Sequence, residues 1–236
     1  MNQVEFVKGL KQLKKVFDKH NILFWLEGGT LLGAVREGKM ISWDYDVDIS
    51  LWFKEVFKVL ETQSDFQALG YEIYITEGHY GLRDMNTKKH IVCIFFNKNI
   101  SGYVVKLHFY RGLRHLIWIL SEPGYNSLDY DNSDYDVKFI PSFIKKTLIN
   151  ISCKIQPYKR RKVIVLLWKL TMKFSLYYDE LIRSKAIDDF VNISFYGELF
   201  MIPKKYDEYL SFMYGNWKVP NKGVKPRIVK LKEVIT

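Results

Sequence analysis

At 236 residues, the chain is long enough for one α/β or α+β domain with a sizeable core, or for a core domain with a helical appendage. Hydrophobic residues make up 48% and aromatic residues 16% of it, which excludes extended disorder. The formal net charge of +10 is unevenly placed: residues 1–137 hold 16 Lys and Arg against 18 Asp and Glu, and residues 138–236 hold 20 against 8. This excess in the second half indicates an anionic partner, such as a nucleotide, a phospholipid surface or nucleic acid.

The cysteines and the apolar runs bear on the cellular compartment. Cys93 and Cys153 form no CxxC pair and have no histidine at ligand spacing, so the sequence predicts neither a zinc site nor a disulfide framework, and we expect a reducing cytosol. The N-terminus lacks the apolar core of a signal peptide, and the longest apolar run, residues 163–168, is too short to span a bilayer. We therefore expect a protein that is soluble or peripheral to a membrane.

The first half of the chain predicts a mixed α/β core. Apolar residues at spacings of three and four over residues 4–19 predict an amphipathic helix, which Asn21 closes. A short buried strand over residues 22–27 then leads into a glycine turn and a helix over residues 31–36. The elements predicted next are a strand over 41–52, a helix over 54–63 and strands over 71–76, 91–97 and 104–110.

The second half predicts a different composition of elements. Residues 121–136 are rich in Asp, Asn, Ser and Tyr without periodicity, which indicates a surface loop. Residues 142–149 and 159–183 are predicted to be helical and basic, and an extended basic tail follows. We therefore divide the chain into a catalytic core, residues 1–137, and a basic helical C-terminal region, residues 138–236, that completes the same domain.

Three aspartates in the second predicted strand, Asp44, Asp46 and Asp48, alternate with other residues. Side chains two residues apart point to the same face of a strand, so these carboxylates are expected to share one side. Three like charges at this spacing repel one another, and a divalent cation relieves the conflict. Hard oxygen ligands suit Mg²⁺ or Mn²⁺. The alternative is an acidic edge strand that avoids pairing with other sheets.

The glycine turn, Gly28-Gly29-Thr30, lies between a predicted strand and a predicted helix. Glycines permit positive φ and let backbone N–H groups approach a phosphate, and a helix N-terminus favours negative charge. Many strands simply end in glycine, so the turn alone is weak evidence. Together with the aspartates that follow, it supplies both halves of a nucleotide-phosphate and metal site.

Residues 28–50, GGTLLGAVREGKMISWDYDVDIS, are similar to the signature of the LicD/fukutin-type phosphotransferases, in which a Gly-Thr-Leu-Leu-Gly run and an arginine precede Trp-Asp-x-Asp-x-Asp. A second similarity covers the family's closing pattern, P-x-x-Y-x-x-x-L-x-x-x-Y-G-x-W-x-x-P. It is carried by Pro203, Tyr206, Leu210, Tyr214-Gly215-Asn216-Trp217 and Pro220. The resemblance implies a mixed α+β fold with a nucleotidyltransferase-like mixed sheet core, flanking helices and a basic helical C-terminal half.

The resemblance also implies an activity. This is the transfer of a phospho-alcohol, such as phosphocholine or a polyol phosphate, from a CDP-activated donor to a hydroxyl of a cell-surface glycan of the lipopolysaccharide, capsule or teichoic acid type, or of a lipid-linked glycan. Carried over by position, Asp46 and Asp48 hold Mg²⁺ (or Mn²⁺), and Asp44 is a further ligand or orienting neighbour. The residues implied in phosphate binding are Gly28, Gly29, Thr30 and Arg36.

Two positions leave alternatives open. Without the motif, Arg36 would be assigned to a surface ion pair with Glu37 or Glu27. Nucleotidyltransferase-type sites usually add a third carboxylate from a later strand, and the candidate positions here carry Cys93, Lys106 and His108. His108 is a candidate base for the acceptor hydroxyl, or else a polar residue on the solvent face of its strand, so the general base stays unassigned.

Two other functions remain open: a generic nucleotidyltransferase that moves a nucleoside monophosphate, and a non-catalytic phosphate-binding relative. The expected partners are the CDP-alcohol donor, the glycan acceptor and an anionic membrane surface for the basic second half. Nucleic acid is disfavoured, because only charge and no recognition helix or RNA-binding motif is visible. The expected location is the cytoplasm, peripheral at the inner face of the membrane.

Overall fold

The computed structural model describes residues 3–75, 80–100, 103–109, 142–156, 177–183 and 189–227, with single positions between 159 and 187. Within these residues the helices are α1 Gln3–Lys19, α2 Gly28–Arg36, α3 Val56–Glu61, α4 Gln63–Ala68, α5 Ser142–Lys154 and α6 Tyr206–Tyr214. The strands are β1 Phe24–Leu26, β2 Val47–Trp52, β3 Tyr71–Ile75, β4 Tyr80–Asp84, β5 His90–Ile100, β6 Tyr103–Phe109, β7 Tyr177–Arg183, β8 Phe190–Phe195 and β9 Glu198–Pro203. No described helix has both the length and the apolar character needed to cross a membrane.

A mixed sheet organises the fold. Its main path runs β1-β2-β5-β4-β3, and β6 pairs with both β5 and β7. The central strands β2 and β5 are parallel, whereas β1 is antiparallel to β2, and β4 and β6 are antiparallel to β5. Most residues of this central pair are apolar and buried, as expected of parallel strands covered on both faces. The predicted mixed α+β architecture, with a mixed sheet and flanking helices, is therefore confirmed.

The predicted amphipathic helix is α1, and it packs on the sheet. Its buried side includes Leu10, Leu13 and Phe17. Gly9 faces Ile91 of β5 so closely that a β-carbon at position 9 would overlap that side chain. The chain then turns through Asn21, which has a φ of 51°. Helix and sheet therefore approach one another as closely as the missing side chain allows.

The chain forms two compact units, and each is made of more than one segment of the sequence. The first comprises Met1–Ile73, His79–His108 and Asp179–Thr236, and the second comprises Tyr74–Gly78 and Phe109–Tyr178. In the first unit the β8–β9 hairpin lies against β1, with the rings of Trp25 and Phe190 5.0 Å apart. The described part of the second unit consists mainly of α5.

Several predicted elements differ from the structure. The strand predicted over residues 41–52 begins only at residue 47, because the Asp44 N–H donates to the Ile41 carbonyl and closes a turn first. Neither β4 nor the β8–β9 hairpin was predicted, and residues 177–183 form a strand where we predicted a helix. The loop predicted over residues 121–136 lies outside the described residues.

Candidate active site

The glycine turn and the aspartate segment are hydrogen-bonded to each other. β1 pairs with β2 so that Leu26 lies opposite Ile49. The next residue extends the pairing, because the Glu27 N–H donates to the Asp48 carbonyl at 3.0 Å. In addition, the Asp48 N–H donates to Oγ1 of Thr30 at 2.9 Å. The backbone of the aspartate strand is therefore fixed against the first turn of α2.

The two glycines are needed because carboxylates lie directly against them. Gly28 has a φ of 53°, a region that favours glycine, and a β-carbon there would lie 2.7 Å from Oδ2 of Asp48. A β-carbon at Gly29 would overlap Oδ2 of Asp44. Any side chain at either position would therefore displace a carboxylate from the turn.

The expectation that all three carboxylates project from one strand face is wrong. Only Asp48 lies within β2, while Asp44 and Asp46 belong to the turn that precedes it. The turn nevertheless brings the three side chains together, because the Asp46 charge acts on both of the others and Asp44 shares a hydrogen bond with Asp46. Proximity was therefore predicted correctly, and the backbone that produces it was not.

These carboxylates are electrostatically unfavourable without a counter-charge. Burial, then the charge and hydrogen bond of Asp46, raise the pKa of Asp44 to about 7. Burial, then the charge of Asp46, raise the pKa of Asp48 to about 8, against the opposing effect of Lys106. A carboxylate pair can share a hydrogen bond only when one member keeps its proton. A divalent cation held by these carboxylate oxygens would remove this conflict.

A cavity of about 250 Å³ opens beside the turn and the carboxylates. Gly29, Asp44 and Asp48 line it from the first motif, and residues of the 214–226 segment line it from the second. Among the latter, Trp217 is buried, and its indole N–H has no acceptor among the described residues. The two motifs, far apart in the sequence, therefore line one cavity.

Arg36 connects the two motifs. Its side chain is 9% exposed and lines the cavity. Nη2 donates to Glu37 Oε1 at 2.6 Å, and Nη1 donates to the Trp217 carbonyl at 3.2 Å. The ion pair with Glu37 that we weighed as an alternative is therefore present, although it is largely buried. A phosphate in the cavity would have to share the guanidinium with these two acceptors.

The later strands place a cation and a thiol beside the aspartates. Cys93 of β5 lies opposite Asp48 of β2 in the parallel register. Lys106 of β6 is buried, with Nζ 3.1 Å from the centre of the Phe95 ring, and its charge lowers the pKa of Asp48. His108 lies on β6, and its side chain is outside the described residues. The aspartates therefore face a lysine at one of the positions where a third carboxylate was sought.

Sequence reasoning missed Glu27, a buried fourth carboxylate next to the turn. Its Oε2 accepts from the Ser50 hydroxyl at 2.8 Å, and its Oε1 accepts from the Tyr209 hydroxyl at 2.9 Å. Glu27 thus ties together β1, β2 and α6. An acidic residue that ends an otherwise apolar strand was the available signal, because buried carboxylates require partners.

His90 was also missed, although it lies close to the aspartates. Its Nε2 is 3.1 Å from Sγ of Cys93, and that sulfur is 3.8 Å from Oδ2 of Asp46. Burial lowers the pKa of His90, and the Asp46 charge opposes this effect. A histidine and a cysteine three residues apart on a regular strand would point to opposite faces, so the sequence gave no reason to pair them.

A Gly-Gly turn held against clustered carboxylates beside a mixed sheet is the arrangement that the resemblance found in the sequence implies for a nucleotidyltransferase-type site. The comparison of families agrees: residues 21–127 match the model described as LicD/FKTN/FKRP, nucleotidyltransferase domain. Residues 21–127 are therefore similar to the nucleotidyltransferase domain of the LicD/FKTN/FKRP proteins, which confirms the resemblance found in the sequence. The 214–226 segment that completes the cavity lies beyond the matched residues.

Individual relatives match shorter segments. Ribitol 5-phosphate transferase FKRP of Homo sapiens and that of Mus musculus are each 49% identical over 41 residues, which is 17% of this chain and 8% of theirs. An uncharacterised protein of Rickettsia prowazekii (strain Madrid E) is 36% identical over 64 residues, 27% of this chain and 24% of its own. The chain thus aligns with less than a quarter of each relative.

One solved structure, that of the antibiotic-resistance factor ANT(2'')-Ia, aligns with 74% of this chain and 96% of its own. The sequence identity is 10% and the TM-score is 0.31. Structural similarity at this level supports no conclusion about the site.

Proposed function

We propose that this protein is a metal-dependent transferase that moves a phospho-alcohol from a CDP-activated donor to a hydroxyl of a cell-surface or lipid-linked glycan. The observation that carries the proposal is the cavity in which the glycine turn, the carboxylates and the 214–226 segment meet. The similarity of residues 21–127 to the LicD/FKTN/FKRP nucleotidyltransferase domain supports the reaction class. The relative named ribitol 5-phosphate transferase supports a polyol phosphate as the transferred group, with phosphocholine as the other candidate.

The first turn of α2 is the proposed phosphate-binding element. The N–H groups at the start of a helix have no partners within the helix, and the helix dipole favours negative charge there. Gly29 borders the cavity and has no side chain of its own, but the Asp44 carboxylate lies against it, so a phosphate would share this position with the aspartate. Thr30 contributes differently from our expectation: its oxygen accepts the Asp48 N–H and so positions the aspartate.

Asp46 and Asp48, with Asp44 beside them, are the proposed ligands of Mg²⁺ (or Mn²⁺). Support comes from the mutual repulsion of these carboxylates, which a bound cation would relieve. When bound, the ion would neutralise charge on the phosphates of the donor. The aspartates would also exclude a second anion from their side of the cavity and so orient the donor.

The proposed reaction is an in-line displacement at phosphorus. The acceptor oxygen forms a bond to the alcohol-bearing phosphorus, the bond from that phosphorus to the bridging oxygen breaks, and CMP leaves with the bridging oxygen. The acceptor proton passes to solvent or to a base that stays unassigned. Arg36 would stabilise the leaving phosphate, because it lines the cavity and its guanidinium is a cationic donor.

Product analysis by mass spectrometry tests the proposal. The protein is incubated with Mg²⁺, a glycan acceptor and a panel of CDP-alcohols that includes CDP-choline, CDP-glycerol and CDP-ribitol. We expect CMP and a phospho-alcohol adduct of the acceptor from one donor. Pyrophosphate from CTP or ATP, with no CMP from any CDP-alcohol, would assign the protein to the generic nucleotidyltransferases. If neither product forms, the result would favour a non-catalytic phosphate-binding relative. Lys106 and Cys93, in place of a third carboxylate, give a physical reason for such a loss of activity.

A further inference from the structure

Three side chains with different ligand atoms converge beside the aspartate cluster. One ligand atom each from Asp46, His90 and Cys93 lies within 4.8 Å of the other two. The His90 Nε2 to Cys93 Sγ distance is 3.1 Å, and the Cys93 Sγ to Asp46 Oδ2 distance is 3.8 Å. In a tetrahedral zinc shell, a sulfur and a nitrogen or oxygen ligand lie roughly 3.5 Å apart. The observed separations bracket this value.

A β-bulge explains how His90 and Cys93 reach the same face. β4 and β5 pair with Leu82 opposite Val92, but the next pair is Arg83 with His90. Ile91 is therefore an extra residue on β5, and its side chain is directed at Gly9 of α1. A bulge shifts the alternation of side chains by one position and is a common way to re-aim a residue beside a site. Here the bulge places the His90 side chain on the same face of β5 as Cys93.

The chemistry of the ligands differs from that of the magnesium cluster. A thiol, an imidazole and a carboxylate together suit Zn²⁺ or a similar borderline ion, whereas magnesium prefers oxygen ligands alone. Three protein ligands also leave a fourth position open to water or substrate, as in catalytic zinc sites. Asp46 belongs to both groups, and Cys93 lies opposite Asp48, so the position borders the cluster already described.

We propose that Asp46, His90 and Cys93 bind a thiophilic divalent cation of the zinc type, as a site additional to the magnesium ligands. On binding, a sulfur–metal bond replaces the S–H bond of Cys93, and the proton passes to solvent. The ion would stand next to the donor phosphates and occupy the side of the site where a third carboxylate is missing. The simpler interpretation is a thiol–imidazole hydrogen bond without a metal, which the experiment below distinguishes.

Cobalt is a suitable probe, because Co²⁺ replaces Zn²⁺ and a cobalt–thiolate bond gives a charge-transfer band in the near ultraviolet. The chain has two cysteines, Cys93 in the interior and Cys153 exposed on α5. In the full-length Cys153→Ser protein, Cys93 is the only thiol. We expect that protein, titrated with Co²⁺ alone, to show the band at one equivalent and a large excess of Mg²⁺ to leave the band unchanged.

Variants at the ligands complete the test. Cys93→Ser should lose the band, and His90→Gln should weaken Co²⁺ binding by at least tenfold, with near-wild-type circular dichroism in both. Absence of the band from Cys153→Ser would overturn the proposal, even if Cys93→Ser proved unable to fold. Loss of the band on addition of Mg²⁺ would also overturn it, since the two ions would then compete for one position and the site would not be additional to the magnesium ligands. The readout is spectroscopic, so it is independent of whether any CDP-alcohol is turned over.

Discussion

At the scale of single residues, the aspartate cluster is a source of instability that its proposed ligand would remove. Burial and the Asp46 charge raise the pKa of Asp48 from its ordinary value of 3.8 to about 8. A carboxyl group whose pKa is higher in the folded protein than in the unfolded chain binds more protons when folded. The free energy of unfolding of the metal-free protein should therefore fall as the pH rises between these two values.

Replacement of the Asp48 side chain by its neutral isostere, asparagine, should stabilise the metal-free protein. We expect Asp48→Asn, in the presence of EDTA, to raise the melting temperature at pH 8, with a gain that diminishes toward pH 4, where the aspartate is protonated in the folded protein and the pH approaches its unfolded pKa. Differential scanning calorimetry across this range would measure it. Asp18→Asn, at an exposed ion pair of α1, is the matched control. A lower melting temperature for Asp48→Asn at pH 8 would contradict the assigned electrostatics.

A second prediction at the scale of single residues concerns the proposed cation ligands. Asp46→Asn combined with Asp48→Asn should abolish Mn²⁺ binding measured by isothermal titration calorimetry, because too few anionic oxygens would remain. The circular dichroism spectrum should stay unchanged, since the Asp48 backbone bonds to Glu27 and Thr30 do not involve the carboxylate. Unchanged Mn²⁺ affinity in the double variant would exclude these two residues as ligands.

Variants of Arg36 and of its ion-pair partner can distinguish a contact to phosphate from a purely structural role of the guanidinium. Arg36→Ala should lower kcat more than it lowers stability, because a contact to the leaving phosphate strengthens as charge develops in the transition state. Arg36→Lys should restore only part of the activity, since an ammonium group cannot donate two bonds in a fixed plane. Glu37→Gln removes the ion-pair partner and keeps the guanidinium. If Glu37→Gln reduced kcat as much as Arg36→Ala, the ion pair and not a phosphate contact would explain the effect.

At the scale of secondary-structure elements, Glu27 joins the sheet to the C-terminal helix. Tyr209→Phe removes the hydroxyl that donates to Glu27 across 182 positions of sequence and leaves a buried carboxylate oxygen without that donor. Hydrogen bonds to charged groups contribute about 2 kcal/mol, so we expect a loss of this size in the free energy of unfolding in urea. Tyr206→Phe, at a half-exposed tyrosine on the same helix, should change it little. Equal effects of the two substitutions would contradict a special role for the Glu27 bond.

Elements with strong periodicity were predictable, whereas those that depend on pairing partners were not. The spacing of apolar residues predicted α1, and its apolar face is indeed buried. The alternation of Asp44, Asp46 and Asp48 predicted a strand, but hydrogen bonding to Ile41 forms a turn there first. The bulge at Ile91 depends on the register with β4, and no local property of β5 specifies it.

In the candidate site, too, the arrangement of nearby residues was predictable, and contacts between distant segments were not. The motif residues Gly28, Gly29, Asp44, Asp46 and Asp48 converge as the sequence predicted, because their separation in the chain is short. Contacts between distant segments were unpredictable from one sequence. Neither the bond from Arg36 to the Trp217 carbonyl nor the Glu27–Tyr209 bond has a local signal. Long-range partners of this kind are decided by packing of the whole fold.

At the scale of the whole molecule, the charge asymmetry makes a prediction about surfaces. Residues 138–236 carry 20 Lys and Arg against 8 Asp and Glu. If this half docks on an anionic membrane, cosedimentation with phosphatidylserine-containing vesicles should fall as salt rises, because exposed charges are screened over about 8 Å at physiological ionic strength. Phosphatidylcholine vesicles are the control. Equal binding to both kinds of vesicle would count against an electrostatic docking surface.

The Arg36–Trp217 contact spans 181 positions of sequence, and it lies at the wall of the cavity. During translation, the glycine turn and the aspartates leave the ribosome long before Trp217 is synthesised. For most of its synthesis, the nascent chain therefore carries exposed carboxylates beside an incomplete cavity. Contacts of such high sequence separation form late and slow the folding of a domain. The cavity is thus completed only after the C-terminal segment has been synthesised and has packed against α2.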